Sequence, residues 1–147
     1  MTSPEEIIKI ADTRLKETRS LLNDGHYSGA FYLAGYTVEL HLKAKICQNF
    51  GICDLFADNS SVEGISELRK VAKTHNFVIL LILAGLKPKY EEFVNKTNNQ
   101  KILSDISILM KEWNERERYK SDDPLRHNNI KKMFNSLDDF LKWIQEN

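Results

Sequence analysis

The chain has 147 residues, of which 41% are hydrophobic and 29% are charged. This length and composition predict one globular domain over residues 1–147, with a core large enough to fold without a structural metal ion or disulfide bonds. Lysine and arginine together number 21, as do aspartate and glutamate. The zero net charge argues against a uniformly basic surface for nucleic acid but leaves room for a local basic cluster.

Two long helices are predicted at the start of the chain. Thr2, Ser3 and Pro4, followed by two glutamates, form a helix start, because a hydroxyl caps the first turn, proline suits it and acids favour its positive end. Apolar residues at helical spacing continue to a stop before Gly25. The second helix is predicted from about His26 to Gln48, so the pair forms an antiparallel hairpin with a very short turn.

The middle of the chain is predicted to hold a loop and further helices. Asp58 to Ser61 form a polar loop, and apolar residues between Ile65 and Ala72 indicate a short helix. The run from Phe77 to Leu83 is rich enough in β-branched residues to suggest a strand, but the chain contains no partner strand for it. It is therefore predicted to be a buried helix, which begins near Thr74 or Asn76.

The last third of the chain predicts two more long helices. A polar helical piece runs from Tyr90 to Thr97, and apolar residues three or four apart mark a helix from Ile102 to Trp113. Residues 114–129 are polar and predict a loop or an irregular helical extension, after which an apolar stripe from Ile130 to Ile144 marks the final helix. The predicted fold is all-α, an up-and-down bundle of four long helices and a shorter one.

The second helix carries a carboxylate in an apolar setting. Small residues in it would let another helix backbone come close, and it has almost no polar face, so it should be central. Glu39 lies one turn before Lys43, a spacing that places opposite charges side by side. Because an unpaired buried carboxylate is costly, Glu39 is predicted to pair with Lys43 or with an arginine from residues 113–118. The second arrangement would orient Arg116 or Arg118 at the edge of a cleft.

Three segments of the chain resemble proteins of the HEPN-domain family, helical domains named for nucleotide binding in higher eukaryotes and prokaryotes. The sequence Gly-Tyr-x-x-Glu-x-x-Leu-Lys-Ala, which begins at Gly35, resembles the second helix of the family, and Lys73-Thr-His-Asn resembles the opening of its third. Trp113 followed by Arg118-Tyr119 is similar to one branch of stand-alone bacterial or archaeal members. The resemblance covers nearly the whole chain and implies a HEPN-like bundle.

The resemblance also implies a possible chemistry. Catalytic members resemble metal-independent RNA endonucleases that use an arginine followed four to six residues later by a histidine, doubled across a dimer. In this chain eight residues separate Arg118 from His127, so the candidate catalytic pair departs from that pattern. Arg69 and His75 have five residues between them, but His75 is more simply a histidine that caps or packs at a helix start. The candidate binding residues are Glu39, Lys43, Arg116, Tyr119 and Arg126.

Two functional hypotheses follow from the resemblance. The first is a module that binds a nucleotide, RNA or a protein partner, as the HEPN half of a toxin–antitoxin or defence pair with a minimal nucleotidyltransferase. The second is a metal-independent RNA endonuclease toxin whose composite site of arginine and histidine lies at a homodimer interface. The altered spacing favours the first. The aromatic residues Tyr27, Tyr32 and Tyr36 could stack bases, although residues at this helical spacing usually belong to the core.

The remaining expectations concern ligands and location. No metal site or cofactor is expected, because histidines and cysteines do not occur at ligand spacing. Cys47 and Cys53 are expected to be free thiols. The longest apolar run, Phe77 to Leu86, is far shorter than the roughly 20 residues that cross a bilayer, so no membrane association and a cytoplasmic location are expected.

Overall fold

A computed structural model describes residues 3–57 and 63–147 of the chain. Within these ranges the helices are α1 (Pro4–Asn23), α2 (Tyr27–Phe50), α3 (Ile65–Ala72), α4 (Phe77–Leu83), α5 (Lys87–Asn95), α6 (Gln100–Glu112) and α7 (His127–Glu146). Short 3-10 turns lie at Thr97–Asn99, Glu115–Tyr119 and Pro124–Arg126. The described ranges contain no strand, which confirms the all-α class. Thr2, in the predicted helix start, and the predicted loop from Asp58 to Ser61 lie outside the described residues.

The first two helices form the predicted antiparallel hairpin. At the start of α1, the Ser3 hydroxyl accepts a hydrogen bond from the Glu6 amide at 3.2 Å, and the Glu6 carboxylate accepts one from the Ser3 amide at 3.3 Å. This reciprocal capping box satisfies two backbone donors at the helix end. Gly25 makes the short turn with a φ of 78°, a conformation that glycine adopts without steric cost.

Helix α2 lies at the centre of the bundle, as predicted. It contacts α1, α4, α6, α7 and the Glu115–Tyr119 turn, so nearly every side of it is covered. Four of its buried side chains are polar or charged: Thr37, Glu39, His41 and Lys43. Polar groups buried in this way need partners. Thr37 and His41 bond to backbone carbonyls of α2, Lys43 bonds to Glu39, and Glu39 also bonds to His75 outside the helix.

The apolar run from Phe77 to Leu83 is helical, as predicted, but it is buried on one side only. Asn76 caps α4, because its side-chain oxygen accepts hydrogen bonds from the backbone amides of Val78 and Ile79, at 2.9 and 3.2 Å. Phe77, Leu80 and Leu81 face the core, whereas Val78 and Ile82 are half-exposed. The helix has seven residues, so α3, α4 and α5 together form a series of short helices between the long ones.

The last two long helices complete the bundle. Helices α6 and α7 pack against each other, and α7 also packs on α2. Between them, residues 113–126 pass over α2 through two 3-10 turns, which confirms the predicted irregular segment. In the described part of the chain, no helix has the length and apolar character needed to cross a membrane.

Candidate functional site

Trp113 organises the region where the polar groups of α2 meet the rest of the fold. Its indole N–H donates to the carbonyl oxygen of Tyr32 on α2 at 3.1 Å, and its ring stacks on Phe77 with centroids 5.1 Å apart. A Cβ at Gly35 would lie only 1.9 Å from the indole ring. Gly35 therefore makes room for this indole, whereas the sequence predicted that the small residues of α2 would admit a helix backbone.

Glu39 is the buried carboxylate at the centre of the site. Its Oε1 accepts a hydrogen bond from Lys43 Nζ at 2.6 Å, which confirms the predicted pair. Its Oε2 lies 2.7 Å from His75 Nδ1, in the segment that joins α3 to α4. Glu39 has no ion pair with Arg116 or Arg118, so of the two alternatives that the sequence left open the structure shows the pair with Lys43.

We call Glu39, Lys43 and His75 the Glu39 cluster. Its three side chains differ in how far they are exposed to solvent. The side chains of Glu39 and Lys43 are 3% and 9% exposed, whereas that of His75 is 37% exposed. Two buried opposite charges satisfy each other, and the third member reaches the surface. His75 also contacts the ring of Tyr36 edge-on, with centroids 6.0 Å apart.

A cleft of about 580 Å³ opens in front of His75, between the start of α4 and the end of α6. Its charged and polar lining includes Lys73, His75, Lys111, Asn114 and Glu115. In the described ranges, no carboxylate lies within ion-pairing distance of Lys73 or Lys111. These two ammonium groups, beside a single glutamate, make the cleft locally basic in a chain of zero net charge.

A line of aromatic side chains connects this cleft to Arg118. Tyr36 contacts Tyr32, with ring centroids 5.0 Å apart. Burial and a hydrogen bond to Tyr32 raise the pKa of Tyr36 to about 12, so its hydroxyl stays protonated at neutral pH. A hydrogen bond to Tyr32 also raises the pKa of Arg118. The guanidinium of Arg118 in turn lies 4.7 Å from the centroid of the Tyr119 ring, which is 76% exposed.

A second buried carboxylate, Glu117, lies in the Glu115–Tyr119 turn. Its Oε1 accepts from Lys120 Nζ at 2.8 Å and its Oε2 from Arg126 Nη1 at 3.1 Å. Arg126 also covers the ring of Phe31 on α2, at 4.5 Å from the centroid. We call Glu117, Lys120 and Arg126 the Glu117 cluster. It borders a second recess of about 670 Å³, where both cations are engaged by this carboxylate.

His127, the other half of the predicted catalytic pair, lies at the start of α7. Its Nε2 is 2.8 Å from Asp122, and its ring stacks on Tyr27 at a centroid separation of 3.9 Å. No hydrogen bond or ion pair joins it to Arg118 within residues 3–57 and 63–147. The two predicted catalytic residues therefore contact separate partners, Arg118 within the Glu115–Tyr119 turn and His127 at the start of α7.

Sequence reasoning missed His75 as the partner of Glu39, and it missed Glu117 altogether. The signal for His75 was available in the Lys73-Thr-His-Asn segment, which follows α3 and opens α4. Arg69, which would have shared a catalytic motif with His75, instead donates its Nε–H to the carbonyl of Leu55 at 2.7 Å. The described ranges hold no group of histidine, cysteine and acidic side chains suited to a metal ion, and Cys47 and Cys53 are both free thiols.

Comparison with known proteins gives one match. The HEPN-domain family model matches residues 4–54, about a third of the chain, which includes α1, α2 and the turn that follows. No curated protein and no solved structure matches the chain. The match supports the resemblance to the HEPN family over the helices that carry Glu39 and Lys43, and it ends before His75 and the segment from Trp113 to His127.

Proposed function

We propose that this protein is a HEPN-type helical module that binds single-stranded RNA along the surface from the His75 cleft to Tyr119. The match of α1 and α2 to the HEPN domain supports a nucleotide- or RNA-binding role in general terms. The geometry of the surface supports RNA in particular. It combines an exposed aromatic ring, a guanidinium beside it and two lysines that have no carboxylate partner in the described part of the chain.

The observation that carries the proposal is the pairing of Tyr119 with Arg118. A tyrosine ring that is 76% exposed gains little for folding, yet this ring lies 4.7 Å from a guanidinium that also interacts with Tyr32. An exposed ring beside a cation is the arrangement on which single-stranded bases stack while the adjacent phosphate is neutralised. Lys73 and Lys111 extend the positive charge into the cleft, where a further phosphate would lie.

Fluorescence anisotropy with a labelled single-stranded RNA tests the proposal. Tyr119→Ala should weaken binding about 5- to 150-fold, which corresponds to the loss of one base stack of roughly 1–3 kcal/mol, and should leave the salt dependence unchanged. Lys111→Gln should instead reduce the slope of log affinity against log salt by about 0.7, the contribution of one phosphate contact. Leu125→Ala removes another highly exposed side chain of the same segment and should change neither.

Two outcomes would contradict RNA binding at this surface. Wild-type protein that binds no single-stranded RNA at low salt would remove the proposal. Binding that Tyr119→Ala and Lys111→Gln leave unaltered would place the RNA elsewhere on the molecule.

We further propose a cytoplasmic homodimer that works beside a minimal nucleotidyltransferase partner, as the family resemblance implies. Helix α4 supports the homodimer, because it exposes Val78, Ile79 and Ile82 on one surface. Exposed apolar side chains that are grouped in this way are typical of contact surfaces, and a two-fold dimer would pair them with their own copies. Ile82→Asp should then convert a dimer to a monomer in light scattering at micromolar concentration, and a monomeric wild type would exclude this part of the proposal.

A further inference from the structure

A groove that adjoins the His75 cleft follows α6 along its length. Its volume is about 580 Å³, and the residues that α6 contributes to its lining are Gln100, Leu103, Ser104, Ser107, Met110 and Lys111. Because these residues recur three or four apart, they lie on one face of the helix. At a rise of 1.5 Å per residue this face is about 16 Å long, which is the length of roughly three helical turns. We call this feature the α6 groove.

The opposite side of the α6 groove is apolar and open to solvent. Helices α4 and α5 contribute Val78, Leu81, Tyr90 and Val94 to it. Val78 is 51% exposed and Val94 is 36% exposed, so the described part of the chain does not cover them. Apolar side chains along a groove of this kind are stabilised when a partner displaces the water around them.

The charged residues that line the α6 groove are two lysines. Lys87 lies at the start of α5 and Lys111 near the end of α6, and no carboxylate lines the groove in the described ranges. Lys87 is 3.8 Å from Glu91, but this is a solvent-exposed pair of the kind that contributes little. Lys111 has no ion pair within residues 3–57 and 63–147. The groove is therefore both apolar and positively charged.

From this combination we infer that the α6 groove binds an acidic amphipathic helix of a protein partner. A helix of about three turns fills a groove of this length, and its apolar stripe replaces water at Val78, Val94 and Leu103. Carboxylates beside that stripe pair with Lys87 and Lys111. The inference does not depend on RNA binding, because Arg118 and Tyr119 lie outside the groove.

The charge of the groove argues against a second copy of this chain as the occupant. A two-fold contact places the same surface of each copy against the other. Groove against groove would bring the lysines of both copies together with no carboxylate from the lining between them. Like charges in such a contact are unfavourable, whereas a partner of opposite charge removes the conflict.

The probe that tests the inference is a labelled peptide of about 14 residues, held helical by a side-chain staple, with leucines at i, i+4, i+7 and i+11. Glutamates flank the leucines in one version and lysines replace the glutamates in a second. A third version has the composition of the first, with the leucines redistributed so that they form no stripe. Fluorescence anisotropy should show that the acidic amphipathic peptide binds about tenfold or more tightly than either control.

The decisive variant is Ser104→Trp, which places a large ring in the groove at an exposed position and removes no core side chain. It should weaken binding of the acidic peptide about tenfold or more, while its urea midpoint stays close to that of wild type. Lys111→Glu should weaken the acidic peptide and strengthen the lysine peptide, because the sign of the contact is reversed. Ile82→Asp is the matched control, since Ile82 is exposed on α4 but does not line the groove, and it should bind like wild type.

Three outcomes would overturn the inference. Wild type that fails to bind the acidic peptide, or that binds the lysine peptide equally well, would remove the acidic helix as the occupant. Binding that Ile82→Asp abolishes and Ser104→Trp leaves unaltered would place the peptide on the exposed side of α4. A dimeric wild type that Ser104→Trp converts to a monomer in light scattering would show that a second copy of the chain fills the groove. None of these results would change RNA binding through Tyr119, so the failure of this inference is distinguishable from that of the proposed function.

Discussion

The Glu39 cluster and the Glu117 cluster each provide partners for a buried carboxylate, but the partners differ. Each takes a carboxylate that is only 2–3% exposed and gives each of its oxygens one cationic or imidazole partner. The partners of Glu117 are a lysine and an arginine. The partners of Glu39 are a lysine and an imidazole, and the imidazole side chain is 37% exposed at a surface cleft.

This difference assigns a separate role to each cluster. The Glu117 cluster ties the Glu115–Tyr119 turn to α7 through Arg126, which also covers Phe31 on α2, so it holds an irregular segment in place. The Glu39 cluster connects the centre of α2 to a surface cleft through His75. The Glu117 cluster is therefore expected to position a segment of the chain, whereas the Glu39 cluster is expected to contribute more to stability, because its lysine is buried, and reaches the surface through His75.

The largest effect on stability is expected from Lys43→Met. Methionine keeps most of the volume but leaves Glu39 buried with His75 as its remaining partner, and breaking a buried pair in this way costs about 3–5 kcal/mol. Urea denaturation followed by circular dichroism measures the loss. Lys16→Met, at an exposed position of α1, is the control and should stay within about 0.5 kcal/mol of wild type. A loss below about 1 kcal/mol for Lys43→Met would mean that the pair contributes little to folding.

Gly35→Ala is expected to disturb the Glu39 cluster, because the Trp113 indole contacts the His75 ring with centroids 6.4 Å apart. The new Cβ would lie within 2.2 Å of three atoms of an indole that stacks on Phe77 and cannot move freely. Overpacking of this kind costs about 1–3 kcal/mol, measured as a lower urea midpoint. Gly29→Ala, on the same helix, meets only the Leu21 side chain at 3.4 Å and should be neutral or stabilising by up to about 1 kcal/mol. Equal midpoints for the two variants would contradict the packing role of Trp113.

His75→Asn is expected to cost about 1 kcal/mol or less in the same assay. The asparagine amide nitrogen takes the position of Nδ1 and can still donate to Glu39, and a partly exposed side chain loses little packing when it is replaced. His75→Ala removes the donor and should cost more, about 1–3 kcal/mol, because a buried carboxylate oxygen is then left unsatisfied. If His75→Asn were as damaging as Lys43→Met, the imidazole would be a structural member of the cluster like the lysine.

The sequence predicted the elements that depend on local patterns. The capped start at Ser3, the short turn at Gly25, the pairing of Glu39 with Lys43 and the helical state of Phe77–Leu83 all follow from spacing and side-chain chemistry within a few residues. Each of these predictions is confirmed. The burial of α2 is also predictable, because its apolar residues leave no face for solvent.

The site could not be predicted to the same extent, because its contacts join distant parts of the chain. The bond from Glu39 to His75 spans 36 residues and that from Trp113 to Tyr32 spans 81. Helical periodicity gives the face of a helix but not which loop residue covers it. Motif spacing indicated Arg118 and His127, whose surroundings are set by Tyr32 and Asp122 rather than by their separation in sequence.

The smallest effect is expected from Lys120→Met, the counterpart of Lys43→Met in the Glu117 cluster. Both lysines are paired to a buried carboxylate at three or four residues' distance, but the Lys120 side chain is 50% exposed and that of Lys43 only 9%. Water can replace a half-exposed ammonium at a carboxylate oxygen, and Arg126 continues to hold the other oxygen. The loss should therefore be about 0.5 kcal/mol, within the range of exposed ion pairs, and it should shrink further in high salt. A loss as large as that of Lys43→Met would show that the two clusters are equally dependent on their lysines, and that the exposure of the cation does not decide its contribution.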